Sequence, residues 1–349
     1  MKRNPLGRTG MMVSELCLGT MTFGTQTNEA DAHAQIDMAL EAGINFLDTA
    51  EMYPVNPIRA ETIGLTETII GTWNAATGRR GDYILATKHS GEGLKAARDG
   101  ARISSKTISK TIEGSLKRLQ TDYIDLYQFH WPNRGSYMFR KNWQFAPEKT
   151  GMTAETVRAE MEECLETLTR EVERGTIRAF GLSNESAWGT SQWLRLAEEG
   201  KGPRVASIQN EYSLLCRLYD TDLAELSAYE DVGLLAYSPL ASGMLTGKYL
   251  NEALPEGSRK SLNKDLGGRV GPRAEAAVAA YVGVAEKHGL DPVHMALAWC
   301  AQRPFMASVI FGATSVTQLA HILEGADLQL SAQVLADLDA THRAHPMPY

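Results

Sequence analysis

The 349-residue chain is 43% hydrophobic and 22% charged, a balance that supports a sizeable core and excludes a disordered or fibrous chain. Its formal net charge of -7 excludes a general affinity for nucleic acid or anionic membrane. No segment approaches the ~18 unbroken apolar residues of a membrane span, and Met1-Lys2-Arg3-Asn4-Pro5 leads into no apolar stretch, so neither a span nor a secretory signal is expected.

Short apolar runs alternate with amphipathic stretches that carry cap signals. Residues 15–18 make the first run. Asn28 then caps a helix whose apolar face is Ala32, Ile36, Ala39 and Leu40, and Gly43 fits the residue past its end. Strand 45–48 follows, then helix 62–72, strand 83–88, a helix striped by Ile108, Ile112, Leu116 and Leu119, and strand 123–130. The pattern continues with helix 153–174, strand 177–183, helix 186–199, strand 205–210, helix 222–230 and strand 233–238. Helices 273–288 and 292–303 precede the last strand, 308–311, and helices 316–324 and 331–344 close the chain.

Eight strands with helical crossovers imply a parallel sheet covered by helices. They predict an α/β fold, a (β/α)8 TIM barrel with extra C-terminal helices. A short N-terminal hairpin over 4–13, turning at Arg8-Thr9-Gly10, would plug the barrel bottom. An open doubly wound sheet is the alternative, but no Gly-x-Gly-x-x-Gly follows the first strand. No linker interrupts the chain, so residues 1–349 read as a single domain. Cys17, Cys164, Cys216 and Cys300 lie far apart without Cys-x-x-Cys spacing. They read as reduced thiols of a cytoplasmic protein, and no metal site is expected.

In such a barrel, chemistry sits at the carboxyl ends of the strands. The second strand ends at Asp48, the third at Lys88 and the fourth at His130, and the loop after the second carries Tyr53. Alone, Asp48 with Lys88 reads equally well as a structural ion pair, Tyr53 as a loop aromatic and His130 as a core histidine. The other seven histidines read as residues of solvated helices. Four such groups at matched strand ends suit giving a proton to a carbonyl oxygen. A free tyrosine, with a pKa near ~10, is a poor acid. Lys88 would stabilise its phenolate and lower that pKa, Asp48 would orient Lys88, and His130 would donate a hydrogen bond to the same oxygen.

These residues carry a resemblance. Leu47-Asp48-Thr49-Ala50-Glu51-Met52-Tyr53, Ala86-Thr87-Lys88, Leu126-Tyr127-Gln128-Phe129-His130-Trp131-Pro132 and Gly19-Thr20-Met21-Thr22-Phe23-Gly24 together resemble the aldo-keto reductase family over essentially the whole chain. Ala50-Glu51-Met52-Tyr53-Pro54-Val55 and Gly64-Leu65-Thr66-Glu67-Thr68 are most similar to its bacterial, Tas-type branch. The resemblance implies reduction of a small aldehyde or ketone by NADPH, with Tyr53 as proton donor in a tetrad with Asp48, Lys88 and His130.

It further implies that Ser183, Asn184 and Gln209 meet the nicotinamide carboxamide and that Tyr237 stacks on the ring. Ser238, Pro239, Leu240, Ala241 and Ser242 would pass the pyrophosphate, with Gly19, Thr20 and Met21 nearby. Lys248 follows, and Arg259 would meet the 2′-phosphate. Read without the family, that basic stretch is more readily a solvated charged loop. Gly312, Thr314 and Gln318 belong to the adenosine side, where His321 and Ile322 replace the family's usual acidic residue and asparagine. Looser adenine recognition is the expectation. The aromatic loop 131–152, with Trp131, Tyr137, Phe139, Trp143 and Phe145, reads as a substrate lid or as packing. Potassium-channel β subunits also resemble this family, so an NADPH-holding regulatory subunit with slow turnover is the second reading. An unrelated barrel lyase or isomerase is disfavoured, because Asp48 would keep Lys88 protonated.

Overall fold

The computed structural model describes residues 1–349. Strands β1 (Arg3–Pro5) and β2 (Met12–Ser14) form an antiparallel hairpin. Eight further strands form the barrel: β3 (Leu16–Gly19), β4 (Phe46–Asp48), β5 (Ile84–His89), β6 (Ile124–Phe129), β7 (Ile177–Ser183), β8 (Val205–Glu211), β9 (Gly233–Tyr237) and β10 (Met306–Phe311). They pair in parallel and in chain order, and β10 closes onto β3. The principal helices are α1 (Glu29–Glu41), α2 (Leu65–Thr77), α3 (Ser105–Leu119), α4 (Ala154–Glu173), α5 (Ala187–Glu198), α6 (Asp222–Glu230), the short α7 (Arg259–Leu262), α8 (Pro272–Lys287), α9 (Pro292–Ala301), α10 (Val316–Glu324) and α11 (Ala332–Ala344).

The fold is the expected (β/α)8 barrel. Capping chemistry sets many helix starts: side chains of Asn28, Thr153, Ser186, Asp291, Ser315 and Ser331 each accept a first-turn backbone N–H. Helix α2 departs from the expected 62–72. Residues 60–62 make a separate 3₁₀ turn, Gly64 takes a left-handed φ of 80°, and the helix then runs to Gly78 at φ 67°. No helix is long and apolar enough to cross a membrane.

Strand periodicity divides the side chains between two cores. Leu47, Leu85, Tyr127 and Phe180 face the helices in the large outer core. Phe46, Ala86, Leu126 and Leu235 point into the barrel, where Leu6 and Val13 of the hairpin pack against them. The hairpin therefore plugs the amino-terminal end. At Gly7, φ is +54° and a Cβ would lie 2.5 Å from the carbonyl oxygen of Ala206, so only glycine fits under the barrel wall.

Candidate active site

Two residues above this apolar plug, the same inward-facing positions become polar. Asp48 on β4, Lys88 on β5 and Gln128 on β6 follow Phe46, Ala86 and Leu126, and the register aligns Lys88 with Gln128. Lys88 is fully buried; its Nζ donates to Asp48 Oδ2 at 2.6 Å and to the Thr49 carbonyl at 2.7 Å. Asp48 Oδ1 accepts from Gln209 Nε2 at 2.7 Å and from Gln128 Nε2 at 3.2 Å. Every carboxylate oxygen is thus used, which is what a charge pair removed from water requires. Burial pushes the Lys88 ammonium down, but Asp48 and Tyr53 together more than offset it, so its pKa lies above the ordinary value.

Tyr53 and His130 stand above this layer. Lys88 Nζ lies 4.9 Å from the Tyr53 ring centroid, and the Tyr53 and His130 rings meet edge-on at 5.8 Å. The structure therefore brings all four expected residues together. Burial, reinforced by Lys88, holds His130 well below the usual imidazole range, so its ring is neutral, and its Nδ1 has no protein partner. The expected lowering of Tyr53 is corrected. Lys88 does pull the phenol down, but burial pushes it up further, and the net shift is upward. The phenol keeps its proton at neutral pH.

Other residues at this rim escaped the sequence reading. Glu211, the last residue of β8, is buried and accepts from Arg269 Nε at 2.8 Å on Oε1 and from Arg140 at 2.8 Å on Oε2. The Tyr349 hydroxyl donates to the same Oε1 at 3.2 Å. One carboxylate thus joins loop 131–152, loop 263–271 and the tail. The signal available in the sequence was a glutamate directly continuing Gln209-Asn210 on a buried strand. His89 also corrects an expectation: it belongs to β5 and is fully buried, donating to the Ser90 carbonyl at 2.7 Å with Thr107 Oγ1 3.0 Å from Nε2. In the aromatic loop, Trp131 lies against His130 at 5.1 Å and Phe139 at 6.3 Å, whereas Trp143 is 70% exposed.

The sequence profile of the aldo/keto reductase family matches residues 15–343. The chain belongs to the aldo-keto reductase family. It is 46% identical to Protein tas of Escherichia coli (strain K12) over 100% of this chain and 99% of that protein. It is 32% identical to the Bacillus subtilis protein named uncharacterized oxidoreductase YrpG, covering 96% of this chain and 94% of the relative. It is also 32% identical to a probable voltage-gated potassium channel subunit beta of Oryza sativa subsp. japonica, covering 99% and 98%. Membership makes the protein an oxidoreductase of the NAD(P)H-dependent kind that acts on small carbonyl compounds.

How well this aldo-keto reductase suits a dinucleotide is legible around the mouth. Tyr237 OH donates to Asn184 Oδ1 at 2.7 Å, and Asn184 Nδ2 donates to the His130 carbonyl at 2.8 Å and to Ser183 Oγ at 3.1 Å, tying three strand ends together. Gln209 commits its Nε2 to Asp48 Oδ1, while its Oε1 accepts no hydrogen bond from the protein. Ser238, Ala241, Ser242 and Gly243 all have positive φ, a run that makes loop 238–243, with Pro239 and Leu240, a tight turn suited to close backbone approach. Lys248 and Lys260 flank the Tyr249 ring at 5.2 and 5.5 Å. Arg259 Nη2 donates at 2.9 Å to the Asn56 side-chain carbonyl when that amide turns its oxygen to the guanidinium, and burial lowers Arg259 to about 10. These three cations form no ion pair with a carboxylate.

Beside them a cleft is lined by Thr25, Gln26, Asn56, Gly257, Leu262 and Thr314. At its far side Gln318 Oε1 accepts from Thr314 N at 3.0 Å and Oγ1 at 3.1 Å, bracing the turn after Gly312. A Cβ at Gly19 would meet the Phe311 carbonyl oxygen at 2.9 Å; Thr20 N and Oγ1 donate to the Asp48 carbonyl, and the Met21 carbonyl accepts from Val55. Unpaired cations beside an open groove, next to a small-residue turn, fit a phosphorylated dinucleotide. Ile322 does not join them. It is buried in the outer core at 5% exposure, because the apolar stripe of α10 faces inward at that position, and His321 turns toward Asp291 and Glu324.

Proposed function

We propose that this protein is a cytoplasmic NADPH-dependent reductase of small aldehydes or ketones, built as one barrel domain over residues 1–349. The observation that carries the reading is the cluster of a protonated phenol, a buried ammonium and a neutral imidazole at one rim. Bound NADPH would supply hydride to the carbonyl carbon from beside Tyr237, with Ser183, Asn184 and Gln209 holding the carboxamide. Tyr53 delivers the proton to the carbonyl oxygen. Lys88, kept charged by Asp48, stabilises the phenolate that remains and so lowers the barrier to that transfer. His130, neutral, orients the oxygen by a hydrogen bond.

Tyr53→Phe should lower NADPH oxidation with an aldehyde by about 100- to 10,000-fold, while nucleotide fluorescence reports unchanged NADPH binding. Near-normal turnover in that variant would remove Tyr53 from the mechanism. Preference for NADPH rests on Arg259, Lys248 and Lys260. Arg259→Ala should weaken NADPH by about 10- to 100-fold, the range of a lost charge-assisted hydrogen bond, and leave NADH nearly unchanged in the same titration. Equal losses for both would assign Arg259 to something other than the 2′-phosphate.

The potassium-channel subunits among the relatives favour a second reading, a regulatory subunit that holds NADPH and turns over slowly. A panel of aldehydes, ketones and sugars, assayed for NADPH oxidation, separates the two. Fast turnover on any one substrate supports the enzyme.

A further inference from the structure

On the outer helical layer, Asp291 caps α9, His294 lies in its first turn and His321 faces both from α10. One ring nitrogen of each histidine and a carboxylate oxygen of Asp291 lie within 4.8 Å of one another. We infer that these three side chains form a binding site for a first-row divalent metal ion of the zinc class, bridging α9 and α10.

The ligand chemistry fits. Imidazole and carboxylate suit zinc and its neighbours, and three protein ligands leave a position open. Ligand atoms ~2.0–2.2 Å from a tetrahedral ion stand roughly 3.3–3.6 Å apart. His321 Nε2 and Asp291 Oδ2 already stand at 3.2 Å, and the His321 side chain is part-exposed, so its rotation can close the remaining gap to His294. Asp291 divides its oxygens: Oδ1 accepts from Val293 N at 2.7 Å and His294 N at 3.1 Å, which fixes the carboxylate and leaves Oδ2 for the ion.

The surrounding hydrogen bonds support the same assignment. Histidine ligands commonly donate their second N–H to a carbonyl or carboxylate, which fixes tautomer and ring pose. His294 Nε2 lies 2.6 Å from the His321 carbonyl oxygen. A carbonyl can only accept, so the proton is on Nε2 and the Nδ1 lone pair is free. His321 Nδ1 faces Glu324 Oε2 at 3.5 Å while its Nε2 faces Asp291. Both rings are thus held from one side with a nitrogen to spare.

The test is calorimetric titration of the chelator-treated full-length protein with zinc chloride, against His294→Ala, His321→Asn and Glu324→Gln, with circular dichroism confirming the fold of each. The expected result is one saturable zinc per chain, lost in both histidine variants and weakened about 10- to 100-fold in Glu324→Gln, the range for removing a ligand's supporting partner. Cobalt(II) in place of zinc should give the visible spectrum of a low-coordinate site. Absence of saturable binding, or binding that survives both histidine replacements, overturns the site. None of these readouts depends on turnover, so the result stands apart from the reductase assignment.

Discussion

His89 ends β5, His130 directly follows the adjacent β6, and His130 N donates to the His89 carbonyl at 2.9 Å. Both are buried as neutral rings. Burial, with Arg98 adding to it, lowers His89 to about 3, and burial with Lys88 lowers His130. Their unfolded-state pKa is about 6.5, so between that value and the folded one the unfolded chain binds more protons. Stability therefore rises with pH across this window. The contribution is fully present above about pH 6.5 and is lost as pH falls toward the folded values. For His89 alone the loss is about 1.4 kcal/mol one unit below the unfolded pKa, and His130 adds in the same direction. Urea unfolding at pH about 7.5 and about 5.5 reads it. Equal stabilities at the two values would contradict the burial of neutral rings.

Among elements, the striking asymmetry lies between strands that announce themselves and loops that do not. Apolar strands ending in Asp48, Lys88 and His130 could be read from their residues, because strand period and the cost of a buried charge are local rules. The barrel and the four-residue rim followed from those rules. The Glu211 junction was not legible, because Arg140, Arg269 and Tyr349 reach it from loops and a tail distant in sequence, and no local rule brings them there. For the same reason the direction of the Tyr53 shift escaped the sequence: it depends on how deeply the phenol is buried. The burial of Ile322 was not legible either, because the face that α10 turns inward is set by packing. Glu211 itself carries a prediction. Glu211→Gln leaves the buried Arg269 and the half-buried Arg140 facing a neutral amide and should cost about 3–5 kcal/mol. Thermal unfolding measures the loss, and limited proteolysis should cut loops 131–152 and 263–271 faster than in the wild type. Cleavage at the wild-type rate would show that those loops are held by other contacts.

At the scale of the molecule, the barrel keeps stability and chemistry at opposite ends, as this architecture generally does. Inward side chains pass from Leu6 and Val13, through Phe46, Ala86 and Leu126, to the polar layer of Asp48, Lys88 and Gln128, and then to Tyr53 and His130 at the open mouth. Leu6 is fully buried within the apolar end. Leu6→Ala removes its methyl groups from the apolar cluster it shares with Val13, Phe46 and Leu126, so a loss of about 2–5 kcal/mol is expected in denaturant unfolding. The polar layer stands between that cluster and the mouth, and its hydrogen bonds fix Asp48 and Lys88 independently of the plug. Turnover and NADPH affinity of Leu6→Ala, measured well below its unfolding temperature, should therefore match the wild type. A variant that keeps full stability would deny the hairpin its role as plug. One that loses activity while still folded would mean that packing at the closed end transmits strain to the mouth.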